Sequence, residues 1–163
     1  MFNQQRIDLA IHALLYMAYN HDPSNVVMVK EMAAGQNISE SYLAKIFQSL
    51  AKTDLLISLR GKYGGYKLGK APTNITVGDV VRALDSDQAV FECNAHEREC
   101  PVLSSGCMLT SLFDEARKKM FEVLDRVTLE NLSEQIHAFP QAIDWIGKDR
   151  VRAAEGTAHH WEV

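Results

Sequence analysis

Cysteine is scarce in this chain: there are three among 163 residues, and Cys93, Cys100 and Cys107 all fall within one fifteen-residue stretch. Three clustered thiols cannot all pair with one another. They therefore argue against a secreted disulfide framework and for a reducing, cytoplasmic setting. Long apolar runs are missing too. The most apolar segment, residues 9–18, is about half the length that spans a bilayer, is interrupted by His12 and has no basic segment before it. No signal peptide, anchor or membrane association is expected. Internal repeats, low-complexity tracts, a nucleotide-binding glycine loop, a nucleophile triad and a paired-acid site are also absent, so nothing here points to an enzyme.

What remains is 47% hydrophobic and 23% charged, the balance of a folded soluble domain rather than a disordered or membrane chain. A chain of 163 residues can bury one core with one element projecting from it. The net charge of −4 looks unsuited to nucleic acid until it is divided along the chain. Residues 30–70 carry Lys30, Lys45, Lys52, Arg60, Lys62, Lys67 and Lys70 against Glu31, Glu40 and Asp54, a local excess of four positive charges. The acidic excess lies almost wholly beyond residue 70. A basic segment inside an acidic chain is the footprint of a phosphate-binding surface.

Apolar residues at Ile7, Ala10, Ile11, Leu14, Leu15 and Ala18 have helical spacing and predict an amphipathic helix over residues 5–19. Residues 21–25, with Pro23, break it, and a short helix over residues 29–34 ends at Gly35. Ser39 can cap the next helix, where Leu43, Ile46, Phe47 and Leu50 form a stripe and Ser41, Tyr42, Lys45 and Gln48 fall away from it. Residues 55–59 and 66–68 read as short strands, and the glycines among residues 60–65 allow a tight hairpin between them. Thr76 with Asp79 three residues on is a capping-box pattern, and Val77, Val80, Val81 and Leu84 give the following helix its apolar face. Periodicity fails over residues 85–106. It returns in a stripe from Leu109 through Leu112, Phe113, Ala116, Met120, Val123 and Leu124 to Val127, on a helix long enough to need a partner. Thr128 can cap a short last helix.

Helix, turn, helix and hairpin in that order make a winged helix. In such a unit the second helix of the pair enters the major groove, so Ser39, Ser41, Tyr42 and Lys45 are the expected base and phosphate contacts. Arg60, Lys62, Tyr63 and Gly64 form a slim basic wing tip suited to the minor groove. Taken singly, each residue could be a cap, a packed ring or a solvated lysine. Element order, segregated charge and a basic glycine hairpin together favour double-stranded DNA as the partner.

The chain resembles the IscR, NsrR and RirA family of winged-helix regulators over at least residues 1–130. The motifs that carry the resemblance are Asp8-Leu9-Ala10, Ile38-Ser39-x-x-Tyr42-Leu43, Arg60-Gly61-x-x-Gly64-Gly65-Tyr66-x-Leu68, Ile75-Thr76-x-Gly78-Asp79-Val80-Val81-x-Ala83-Leu84 and the triple-cysteine loop. The resemblance implies a homodimer on a partly palindromic operator, with the helix near residues 109–127 crossing its twin.

The cysteines read Cys-x6-Cys-x6-Cys in an irregular loop before a helix, and thiolates are the preferred ligands of iron–sulfur clusters. The short pairwise spacing of zinc knuckles is absent, which lowers the zinc alternative; a thiol-based redox switch also stays open. Three thiolates need a fourth ligand. In IscR-like relatives a histidine stands three residues after the third cysteine, where this chain has Thr110. In NsrR-like relatives the first helix of the partner subunit supplies an aspartate, and Asp8 matches that position. Asp8 could otherwise be a first-turn acid at the positive end of its own helix, and His12 and His96 are reserve ligands.

The expected fold is therefore mainly α with a small β-hairpin wing. A winged helix-turn-helix spans residues 1–85, a cluster loop 86–108, a dimerisation helix with a short following helix 109–139, and a tail 140–163. The expected function is a cluster-dependent transcription regulator, most simply a repressor, with a 4Fe–4S cluster favoured over 2Fe–2S and nitric oxide, oxygen, iron supply or cluster supply as the signal. The alternatives are a metal-free thiol-switch regulator of the same fold, or an iron–sulfur or zinc protein that does not bind DNA.

Overall fold

The computed structural model describes residues 4–19, 26–61, 64–85 and 107–138. Helix α1 (Gln4–Tyr19) buries Leu9, Ala10, Ala13, Leu14, Leu15, Met17 and Ala18. These residues cover more than half of its circumference, so α1 runs through the interior rather than across a surface. Helix α2 (Val29–Gly35) and helix α3 (Glu40–Lys52) follow, joined by a turn in which Asn37 adopts φ +54°, a left-handed conformation that asparagine tolerates. Ser39 caps α3 as the sequence predicts, its Oγ accepting from the Tyr42 backbone N–H at 3.3 Å.

Strands β1 (Leu56–Leu59) and β2 (Gly65–Leu68) pair antiparallel, with Leu56 opposite Leu68 and Leu59 opposite Gly65. The hairpin is anchored from below. Val27 exchanges two backbone hydrogen bonds with Tyr66, at 2.8 and 2.9 Å, and the Tyr66 ring meets Phe47 edge-on at 5.1 Å. A 3₁₀ turn at Pro72–Asn74 leads into helix α4 (Val77–Asp85). The capping box is reciprocal: the Asp79 N–H donates to Thr76 Oγ1 and the Thr76 N–H to Asp79 Oδ2, both at 3.0 Å.

Helix α5 (Met108–Leu124) and helix α6 (Leu129–Ala138) complete the described chain and behave oppositely. Helix α6 turns back onto α1 and sinks Leu129 and Ile136 into the same core as Phe47, Leu14, Ile46 and Val80. In α5 no residue is buried, and Met108 and Leu112 are 87% and 59% exposed despite their apolar side chains. The fold is mainly helical with a two-stranded wing, as the sequence predicts. Among the described residues no helix is long and apolar enough to cross a membrane.

Candidate DNA interface and cysteine site

Packing the stripe Leu43, Ile46, Phe47 and Leu50 of α3 inward turns Glu40, Ser41, Lys45 and Gln48 outward. Ser39 is exposed as well as capping, and Ser41 Oγ donates to its Oγ at 3.5 Å. Tyr42 is half-buried against the core, so its ring is held while the residues beside it face solvent. At the wing, Arg60 is exposed and the turn is closed by the Gly64 N–H donating to the Gly61 carbonyl at 2.9 Å. Gly61 takes φ +112°, where a side chain strains the backbone, and a Cβ on Gly64 would come within 2.5 Å of the Leu59 carbonyl oxygen, where there is no room for one. Lys62 and Tyr63 lie outside the described residues. Lys45 and Arg60 thus stand on the two elements that a winged helix presents to adjacent grooves.

Recognition helix and core are tied together by a residue that sequence reading passed over. Arg6 on α1 donates to Ser49 Oγ on α3 at 3.1 Å and to the Leu84 carbonyl at the end of α4 at 3.4 Å. Its partners lie 43 and 78 residues away, so no local pattern announces them.

Cys107 is the half-buried N-cap of α5. The Thr110 and Leu109 backbone N–H groups at the start of α5, with the Thr110 hydroxyl, lower its thiol below the ordinary range. Thiolate is the form that ligates metal, so this position suits a ligand.

Asp8 is the fifth residue of α1, not a first-turn acid, because the helix begins at Gln4. The helix dipole acts mainly on the first turn, so it does not account for a carboxylate here. The side chain is 66% exposed, with His12 Nδ1 at 3.2 Å from Oδ1. His12 Nδ1 also lies 2.8 Å from the Asp8 carbonyl oxygen. A carbonyl can only accept, so that nitrogen carries a proton and is engaged. Asp8 borders a shallow groove of about 330 Å³ with Gln4, Ile7, Ile11, Val81, Met120 and Leu124.

That groove places Asp8 beside the C-terminal half of α5, whereas Cys107 begins it. Met120 is thirteen residues from Cys107, or about 20 Å along a helix axis. Cys107 and Asp8 of one chain therefore cannot share a cluster a few ångströms across. Among the described residues no three metal-binding side chains come together. Cys93, Cys100 and His96 lie outside the described residues.

A model of the Rrf2 family, described as iron-dependent transcriptional regulator, matches residues 3–135. The HTH-type transcriptional regulator NsrR of Geobacillus kaustophilus is 36% identical over 128 residues, which is 78% of this chain and 86% of that one. Among solved structures, T. potens IscR is similar with a TM-score of 0.57 at 28% identity, covering 80% of this chain and 84% of that one. CymR, the global cysteine regulator of B. subtilis, is similar with a TM-score of 0.57 at 29% identity, covering 80% of this chain and 94% of that one.

Proposed function

The chain belongs to the Rrf2 family of transcriptional regulators, and we propose that it is a cytoplasmic homodimeric repressor whose hold on its operator depends on an iron–sulfur cluster. Its relatives are regulators and not enzymes. In this reading Cys93, Cys100 and Cys107 hold the cluster, a 4Fe–4S centre in preference to 2Fe–2S, and Asp8 of the partner subunit completes it.

One observation carries the ligand set. Cys107 and Asp8 stand at opposite ends of α5, so a shared site requires a second chain. The apolar face of α5 supplies the means, because a helix with Leu109, Leu112 and Val123 exposed is stabilised by packing on its twin. Two chains crossing along α5 bring the start of one helix towards the Asp8 region of the other.

When bound, the cluster supplies an iron that a carboxylate oxygen holds more weakly than thiolate does, which suits attack by nitric oxide or oxygen. The chain does the rest. Thr110 and the first turn of α5 favour the deprotonated form of Cys107. Arg6, two residues before Asp8, ties α1 to the recognition helix through Ser49. Release of Asp8 would free α1 at that end and let the two recognition helices leave operator spacing, and base readout tolerates only small displacements.

The test is anaerobic purification with an absorption spectrum and iron and sulfide counts, then operator binding by cluster-loaded and cluster-free protein during nitric oxide titration. Loaded protein should bind the specific duplex more tightly and lose that advantage as nitric oxide is added. Colourless, folded, DNA-competent protein would point to the thiol switch. A coloured protein with no salt-dependent duplex binding would point to the non-DNA class.

A further inference from the structure

The end of α5 is fastened to α4 by a set of contacts that the DNA interface and the cysteine site leave unused. Arg82 on α4 forks between two carboxylates: its Nη1 lies 3.3 Å from Asp79 Oδ1, and its Nη2 pairs with Asp125 just past α5. The same guanidinium lies 4.4 Å from the centre of the Phe121 ring. Thr76 Oγ1, already in the capping box, donates to Asp125 Oδ1 at 3.4 Å. Backbone bonds run alongside, the Val77 N–H to the Val127 carbonyl and the Leu129 N–H to the Ile75 carbonyl, both at 2.9 Å.

Gly78 shows how tightly this junction is built. A Cβ there would land on the Asp125 carboxylate and lie 3.2 Å from Arg82 Nη1. Gly78 stands in the first turn of α4, where the place of a side chain is already taken by another group. Here that is Asp125.

Helix α4 is held equally firmly at its far end. Val80 and Leu84 are in the core, and Arg6 joins the Leu84 carbonyl to Ser49 of α3. We propose that the Arg82–Asp125 junction, seated on Gly78, is a positioning device that makes α5, α4 and the recognition helix one rigid lever. A displacement at the Cys107 end of α5, about 25 Å away by helix rise, would then be delivered to α3 instead of being absorbed by bending at residues 125–128. The lever is a property of the chain itself. Only the assignment of the cluster as what moves it rests on the reading above.

Pulsed EPR on the full-length dimer tests the lever without reference to the cluster. Spin labels are introduced through an unnatural amino acid at Gln48 and Lys118, and labelled chain is diluted with unlabelled chain so that one protomer per dimer reports. The wild type should give one narrow α3–α5 distance. R82Q and G78A should broaden it, with R82K between, because lysine cannot fork between two carboxylates. G78A is the sharper variant: alanine is the better helix former, so a purely local role predicts equal or higher thermal stability and an unchanged distance.

In parallel, the ratio of operator affinities of cluster-loaded and cluster-free protein should fall about two- to thirtyfold in R82Q and G78A relative to wild type, the range of coupling changes that single substitutions produce. Narrow, wild-type distances in both folded variants would overturn the lever. A wild-type affinity ratio of one would overturn the cluster reading instead, and the distances would still decide the lever. If R82Q does not fold, G78A alone decides it.

Discussion

Ser39 would do two jobs with one hydroxyl, since it closes the N-terminus of α3 and stands exposed on the helix proposed to meet DNA. Replacing it with alanine should lower stability by about 1 kcal/mol, read by thermal or urea denaturation, because the Tyr42 N–H loses its side-chain acceptor and keeps only the Ser39 carbonyl. Operator affinity should fall further than that loss of stability explains, since the side chain is also lost from the interface. Asp8 should separate the same two quantities the other way. It is 66% exposed and packs against little. Asp8→Ala should therefore leave the unfolding free energy within about 0.5 kcal/mol of wild type. It should shorten the lifetime of the cluster's visible absorption in air, and an unchanged lifetime would remove it from the ligand set. At this scale the sequence is legible wherever a residue's partner is three or four positions away. Both the Ser39 cap and the Thr76–Asp79 box could be read from spacing. Gly78 could be seen but not explained, because Asp125, the group that a side chain there would displace, is 47 residues further on, and Arg6 gave no signal for the same reason.

Among the elements, α5 and α6 look alike in sequence, each an amphipathic stretch after a turn, yet they differ in which surface they serve. Leu112 on α5 is 59% exposed, whereas Leu129 on α6 is fully buried in the winged-helix core. Leu112→Glu should leave a folded domain, by circular dichroism, that sediments as a monomer and binds the operator weakly. Leu129→Ala should leave the association state alone but lower stability by about 2–5 kcal/mol, the usual cost of truncating a buried leucine. The reverse pattern would mean that the roles of the two helices are exchanged. Periodicity revealed that both helices exist and that the longer one carries an apolar stripe, which the structure leaves exposed. It did not reveal that α6 folds back on α1, because a hydrophobic stripe states that a face will be buried and not against what. Residues 86–106, where periodicity fails, lie outside the described residues together with two of the three cysteines.

For the whole molecule, net charge and function are reconciled only by position. Seven of the basic residues lie between residues 30 and 70, while the chain as a whole carries −4. DNA should therefore be attracted to one face and repelled by the rest, which orients the encounter before any base is read. The number of cations that reach phosphates sets the salt dependence, since each neutralised phosphate adds about 0.9 to the slope of log affinity against log salt. That relation also counts chains on the operator. Lys45 and Arg60 are both exposed, on the helix and the hairpin proposed to approach DNA. If each touches one phosphate per chain, either alanine variant should make the slope shallower by about 0.9 for a bound monomer and about 1.8 for a dimer. The expected result is a change close to 1.8 for each, alike for specific and random duplexes, because phosphate contacts carry no sequence information. A slope unchanged in both variants would mean that α3 and the wing do not approach the backbone together, and that the basic segment serves only to keep the protein in solution.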